Sequence, residues 1–331
     1  MPRPITLFTG QWADLPLEVL CQKAKQFGYE GLELACWGDH LEVFKAAQDK
    51  KYCDDKIALL KKYDLKCWAI SNHLAGQLIC DLNNDCRSDG FAPADCAGNA
   101  DKKRQYGVDS MKAAARAAKN LGIKVVNGFA GSSIWHLLYS FPPNDPNEIE
   151  KGYTFFAKMF NPIMDVFEEC GINFGLEVHP TEIAYDFATT RKTLKAIKNR
   201  KSFGFNFDPS HLQWQCMDPI QFIYEFSDRI HHVHMKDCAV TLDGKTGILG
   251  GHLAFGDPGR GWDFRSLGHG DVDLEGVVRA LNQIGYNGPL SVEWEDPGMD
   301  REFGAADACQ FLKGINYPLP KGLYDEAFTK K

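Results

Sequence analysis

A closed (β/α)8 TIM barrel, of the α/β class, is the fold that this 331-residue chain predicts, and three observations lead to it. Short runs rich in β-branched and aromatic residues alternate with longer amphipathic stretches along the whole sequence, giving eight strand-helix units. Acidic residues and histidines recur at the C-terminal ends of the strand-like runs, the face on which such barrels carry their chemistry. No Gly-rich dinucleotide fingerprint follows the first run, which removes the main reason to prefer an open, doubly wound sheet.

The units follow in order. A strand over 5–9 leads to a helix over 16–27 that stops at Gly28, where a residue free to adopt positive φ ends a helical run. A strand over 31–36 precedes a helix over 52–63. The third strand, 66–71, is separated from its helix (109–121, stop at Gly122) by a long loop, 72–104. The fourth, 124–129, is followed by a second long loop, 130–150, and a helix over 152–170 that stops at Gly171. Strand 173–178 pairs with helix 190–198, and strand 203–208 with helix 219–226. After strand 230–235 a third long loop, 237–270, runs to helix 274–284 and Gly285; strand 290–294 and helix 305–314 complete the set. All three long loops leave the C-terminal ends of strands, so they are expected to act as lids or substrate walls over a single domain spanning 1–331.

The formal charge of −7 and a pI near 5.8 give no basic footprint for nucleic acid, and no run approaches membrane-spanning length. A small neutral molecule is the easier substrate to accommodate. The first residues show no apolar signal segment, so the eleven cysteines are expected to be reduced and the protein cytoplasmic. Cys80, Cys86 and Cys96 contain no Cys-x-x-Cys pair and read as loop cysteines, not as zinc ligands.

Four strand ends deliver metal-type side chains: Glu177 in Gly-Leu-Glu-Val-His, Asp208 in Asp-Pro-Ser-His, His234 in His-Val-His-Met-Lys-Asp, and Glu293 in Leu-Ser-Val-Glu-Trp-Glu. Three carboxylates with one imidazole form a hard, oxygen-rich set that suits Mn²⁺ or Mg²⁺ better than structural zinc. Singly, each has a plainer explanation: a carboxylate at a strand end caps a helix or forms an ion pair, and a buried histidine simply finds a hydrogen bond. Glu295 competes with Glu293, because both lie on the same face of one extended strand.

These motifs, with the closing run Gly-His-Gly-Asp-Val-Asp and Gly-Tyr-Asn-Gly-Pro-Leu-Ser-Val-Glu, resemble the sugar phosphate isomerase/epimerase family of the xylose isomerase-like barrels, over essentially the whole chain. The resemblance is greatest to the longer members, which include the catalytic subunits of C-glycoside deglycosidases. It implies metal ligation by Glu177, Asp208, His234 and Glu293, in preference to Glu295, and substrate contact by His211. Mn²⁺ is the expected ion, with Mg²⁺ or Co²⁺ as alternatives, and no organic cofactor is needed. It further implies an isomerase or epimerase of carbohydrate metabolism, in which the metal stabilises an enediolate while Glu177 and Glu293 remove and return a proton on opposite faces of a keto sugar. The alternative is a lyase or dehydratase that uses the same enolate for β-elimination, such as C-deglycosylation of a 3-oxo glycoside. A homo-oligomer or a small accessory subunit is compatible with either.

Further candidates lie near the strand ends. His73, His179, Lys236 and Glu295 are placed to bind substrate, and Arg260 and Arg265 to contact sugar hydroxyls or a phosphate. His136, in the aromatic segment Ile-Trp-His-Leu-Leu-Tyr, is a candidate base on a sugar-stacking wall. An endonuclease-type site would need more histidines, and the strand end Val-Val-Asn-Gly-Phe supplies none.

Overall fold

In the computed structural model, which describes residues 2–318 and Phe328, eight parallel strands close into a barrel. They are β1 (Ile5–Phe8), β2 (Gly31–Ala35), β3 (Ala69–Ser71), β4 (Val125–Gly128), β5 (Asn173–Glu177), β6 (Phe203–Phe207), β7 (Ile230–Met235) and, after an antiparallel pair β8 (Asp237–Val240) and β9 (Trp262–Arg265), β10 (Leu290–Val292). Closure comes from β10, which pairs with β1 in the register Ile5↔Leu290 and with β7 in the register Ser291↔His234. Most strand residues are buried, as expected where helices cover the outside and side chains fill the lumen.

The helices are α1 (Leu17–Phe27), α2 (Val43–Gln48), α3 (Lys50–Lys62), α4 (His73–Gln77), α5 (Ala100–Leu121), α6 (Pro146–Cys170), α7 (Phe187–Ala196), α8 (Pro209–Gln213), α9 (Pro219–Glu225), α10 (Leu274–Gln283) and α11 (Arg301–Ile315). Gly28, Gly122 and Gly171 adopt left-handed φ at the ends of α1, α5 and α6, as their sequence positions predict. Aspartate or asparagine side chains cap many N-termini: Asn99 accepts from Lys102 N, and Asp186 from Thr189 N. Phe156 and Phe160 of α6 and Phe174 and Phe203 of the sheet form one aromatic cluster with ring centroids 4.9 to 6.3 Å apart. Each such pair adds about 0.5–1.5 kcal/mol beyond the area it buries.

The long loops differ from their expected form. The first is shorter at its far end, because α5 starts at Ala100 behind the Asn99 cap, and it contains α4 and two 3-10 turns (Cys86–Phe91 and Ala94–Cys96). The second gives way to α6 at Pro146, a residue preorganised for a helix's first turn. The third holds the β8–β9 hairpin, which sequence reasoning missed. Asp237 pins it: its carboxylate accepts from the backbone N–H groups of Cys238, Gly268, Gly270 and Val272. All eleven cysteines are free, and no helix among the described residues is long and apolar enough to cross a membrane.

Candidate active site

Because alternate residues of a strand face the lumen, β7 sends in both His232 and His234, and β10 sends in Ser291 and, in the extension just past it, Glu293. Two polar layers result.

The lower layer surrounds Glu33 of β2, a carboxylate with 1% exposure. It accepts from Ser71 Oγ, from Asn127 Nδ2 at 2.8 Å, from Ser291 Oγ at 2.5 Å, from His232 Nε2 at 2.7 Å and from His234 Nε2 at 3.0 and 3.1 Å. Burial opposes its charge, but His232 and His234 outweigh that and hold its pKa well below the ordinary value. An ionised carboxylate only accepts, so the facing Nε2 of His234 carries the proton and Nδ1 points the other way.

That Nδ1 enters the upper layer. It lies 2.9 Å from Glu293 Oε2 and 3.1 Å from Glu177 Oε2. Glu177 ends β5 and is held by His73 Nε2 at 3.0 Å and Asn206 Nδ2 at 2.8 Å. Its other oxygen faces His211 Nε2 at 3.3 Å, and that nitrogen is 3.2 Å from Asp208 Oδ2. Asp208 divides its work: Oδ1 caps α8 by accepting from the backbone N–H (2.8 Å) and hydroxyl (2.7 Å) of Ser210, while Oδ2 has no aligned hydrogen-bond donor. His211 Nδ1 and Nε2 and His73 Nδ1 are likewise buried without a hydrogen-bond partner.

Orphaned buried polar atoms are rare, since each costs about 1–3 kcal/mol. Here they converge with carboxylates, and the sets Glu177, His234, Glu293 and Glu177, Asp208, His211 each have potential ligand atoms within 4.8 Å of one another. Glu177 belongs to both. Either set could hold a divalent cation; the four residues expected from sequence as ligands are divided between them, and His211, expected to contact substrate, lies in the second. Glu33, His232 and His234 form a third set of that size, but Glu33 is already saturated with donors. It acts on His234 from behind, a role sequence reasoning missed. A charged residue in the middle of the apolar run Gly-Leu-Glu-Leu-Ala, and a histidine two residues before His234, were the available signals.

Electrostatics hold the layer together. Burial disfavours charge on His211, yet Asp208 and Glu177 push its pKa up to about 9. For Glu293, burial is outweighed by the Lys236 ammonium and His234, and its pKa falls to about 2. Lys236 is itself buried, yet Glu293 and Glu295 hold its pKa well above the ordinary value. Its Nζ lies 3.4 Å from Glu293, 2.9 Å from Glu295 and 4.1 Å from the centre of the Phe264 ring on β9. Burial and the neighbouring His211 lower His179 to about 3, leaving it neutral.

Among the remaining candidates, Glu295 is set apart from the ligand sets and accepts from Gln11 Nε2 at 3.0 Å, which also donates to Glu293 at 2.7 Å. His73 and His179 both pack against Phe129, their ring centroids 4.6 and 4.8 Å from it. His136 does not join the cluster; it lies exposed on the wall of a neighbouring cavity. Arg260 is occupied by the rings of Phe255 and Trp262 and by the carbonyl of Leu253 at 2.6 Å, and Arg265 donates to Phe264 O at 2.8 Å. Both arginines line a separate recess beside Asp263 and Asp296.

Comparison with known proteins bears on the family and the fold. Residues 21–315 match the family model described as xylose isomerase-like TIM barrel. The chain is similar to YfiH of Bacillus subtilis (strain 168), of uncharacterised function, with 32% identity over 152 residues, 44% of this chain and 48% of the relative. It is 25% identical over 202 residues to a mannonate dehydratase of Oceanobacillus iheyensis, covering 54% of this chain and 52% of that one. The chain thus spans about half the length of these curated relatives. The fold is shared with the 3-keto-D-glucoside 4-epimerase YcjR from E. coli, with a TM-score of 0.65 at 13% identity, over 94% of this chain and 99% of that chain.

Proposed function

Since the chain belongs to the xylose isomerase-like TIM barrel family, we propose that it is a divalent-metal-dependent isomerase or epimerase acting on a keto sugar or an oxidised sugar derivative. The observation that carries this reading is the convergence of Glu177, at the end of β5, and Glu293, just past β10, on the single nitrogen His234 Nδ1, with the orphaned Asp208 Oδ2 reaching the same Glu177 through His211.

Glu177, Asp208, His234 and Glu293 would hold the ion, with His211 as a fifth group at its edge. When bound, the cation supplies polarisation of adjacent sugar oxygens and so acidifies the neighbouring C–H. Glu177 takes that proton, aided by His73 and Asn206, which fix its carboxylate. A proton passes from the Lys236 ammonium, 3.4 Å away, through the ionised Glu293, which Gln11 also holds, to the opposite face of the same carbon and inverts it, while the proton on Glu177 leaves to solvent and Lys236 is reprotonated from it. Phe8 stacks on His234 at 5.0 Å and limits water on that side.

A lyase or dehydratase is the second reading, favoured by Lys236. A buried ammonium that stays charged beside Glu293 is suited to neutralise a departing oxygen, and a mannonate dehydratase is among the relatives.

NMR of the manganese- or magnesium-reconstituted protein in D₂O, with a panel of keto sugars and 3-oxo glycosides, separates the two. Deuterium at one carbon of a stereoisomeric product supports the epimerase. Loss of water or an aglycone with an unsaturated sugar supports the lyase, and no exchange with any substrate sinks both.

A further inference from the structure

The two oxygens of Glu293 are held by different groups. Oε2 faces His234 Nδ1 at 2.9 Å and the Lys236 ammonium at 3.4 Å, whereas Oε1 accepts from Gln11 Nε2 at 2.7 Å. Among the described residues, Gln11 is the only hydrogen-bond donor to Oε1. The same amide nitrogen donates to Glu295 Oε1 at 3.0 Å, and Lys236 Nζ lies 2.9 Å from Glu295 Oε2. Amide, ammonium and two carboxylates thus close a ring. An amide oxygen turned toward two carboxylates would be repelled, so the nitrogen is the end that faces them. Gln11 Oε1 has no hydrogen-bond partner, and no second donor pulls the amide away.

Gln11 is in turn fixed from behind. It lies in the turn Gly10–Trp12 after β1, where a Cβ on Gly10 would come within 2.6 Å of the Phe8 ring and 2.9 Å of the Trp37 ring. Arg301, the first residue of α11, donates to the Gln11 carbonyl at 3.2 Å and forks onto Asp14 at 2.8 and 2.7 Å. Its guanidinium also lies 4.7 Å from the centre of the buried Trp12 ring. A planar fork that engages a carboxylate and an aromatic face together fixes a loop in a way that a single ammonium contact does not. Glu177 shares neither Gln11 nor Arg301; His73, at 3.0 Å, and Asn206, at 2.8 Å, hold it instead.

We propose that Gln11 is a positioning residue for Glu293 and not for Glu177, with Arg301 holding its loop, so that the two carboxylates of the site are oriented by independent supports. Glu295 then serves as the second anchor of the Gln11 amide. The proposal rests on the two-carboxylate reading above and adds the groups that orient one of the pair.

Loss of Gln11 should therefore impair one face of the reaction and spare the other. In D₂O, the carboxylate that removed the proton can exchange it with solvent and return a deuteron to the same face, which labels the recovered substrate. Delivery from the opposite face labels the inverted product. The ratio of these two labels is measured by NMR, starting from each epimer in turn, on a sugar that the manganese-loaded full chain epimerises. Gln11→Leu should raise the ratio from one epimer and lower it from the other, each by roughly ten-fold or more. Arg301→Lys, which keeps the charge and loses the fork, should shift both ratios the same way by less. Partial unfolding lowers both labels together, so ratios that stay unchanged in Gln11→Leu, or that move in the same direction from both epimers, overturn the proposal and leave the reaction standing.

A second readout needs no turnover. Mn²⁺ affinity, followed by electron paramagnetic resonance, should fall about 10–100-fold in Gln11→Leu. If no sugar is epimerised, the proposed reaction fails and this affinity decides: a fall of that size supports the positioning role, and an unchanged affinity, or a wild type that binds no Mn²⁺, refutes it.

Discussion

Glu33 and Glu177 are both buried carboxylates in one barrel lumen, and both touch the ring of His234, yet their surroundings differ in kind. Around Glu33 every approach is filled: two serine hydroxyls, an asparagine amide and two imidazoles donate to it. Around Glu177 the partners are present but not content, since both ring nitrogens of His211 and the Oδ2 of Asp208 beside it have no aligned hydrogen bond. A saturated network is a scaffold, because nothing further can bind without breaking it. An unsaturated one in an equally buried place retains unused binding capacity, and that distinguishes a site from the frame that holds it.

Four substitutions test this contrast. The largest effect is expected at the upper layer: Glu177→Gln and Glu293→Gln should each keep the circular dichroism spectrum and lower turnover by about 10²–10⁴-fold, because each removes a ligand and a proton carrier together. Near-wild-type turnover in both would falsify the site assignment. At the lower layer, Glu33→Gln should act through His234. Metal affinity, measured by competition with a fluorescent chelator, is expected to fall about 10–100-fold, with stability lower by about 3–5 kcal/mol. A variant that unfolds more easily but binds metal as tightly as the wild type would reduce Glu33 to a structural residue.

The smallest effect belongs to Glu182, which lies between the two cases: one oxygen accepts two backbone N–H groups, and the other has no partner. Burial raises its pKa from 4.5 to about 8. The folded state thus holds a proton that the unfolded state releases, so this contribution is full below pH 4.5 and is lost as pH rises through 8. Glu182→Gln should flatten the fall in urea stability between pH 6 and pH 8.5 by roughly 1 kcal/mol or more. An unchanged slope would show that the carboxyl is ionised throughout.

Much of this was legible in the sequence. Apolar alternation set the eight barrel strands, and glycines marked the ends of α1, α5 and α6. Glu177, Asp208 and Glu293 were visible because each ends a largely apolar strand-like run, where a charge needs a reason, and His234 by its place in His-Val-His-Met-Lys-Asp. Glu33 was not, since a mid-strand glutamate looks like an outward-facing one until closure of the barrel fixes which face is the lumen. The β8–β9 hairpin was hidden for a related reason: Asp237 reads as a loop residue, and only the fold brings Gly268, Gly270 and Val272 to it. Arg260 shows the converse. Its charge suggested a ligand, but its aromatic neighbours and the Leu253 carbonyl had the prior claim on it.

The hydrogen bond from Ser291 to Glu33 joins residues 258 positions apart. During synthesis, a chain that has not yet delivered β10 lacks Glu293, lacks this bond, and leaves β1 and β7 with unpaired edges. Contacts of such long range form late in folding. The proposed cation site would therefore be assembled only when the barrel is complete.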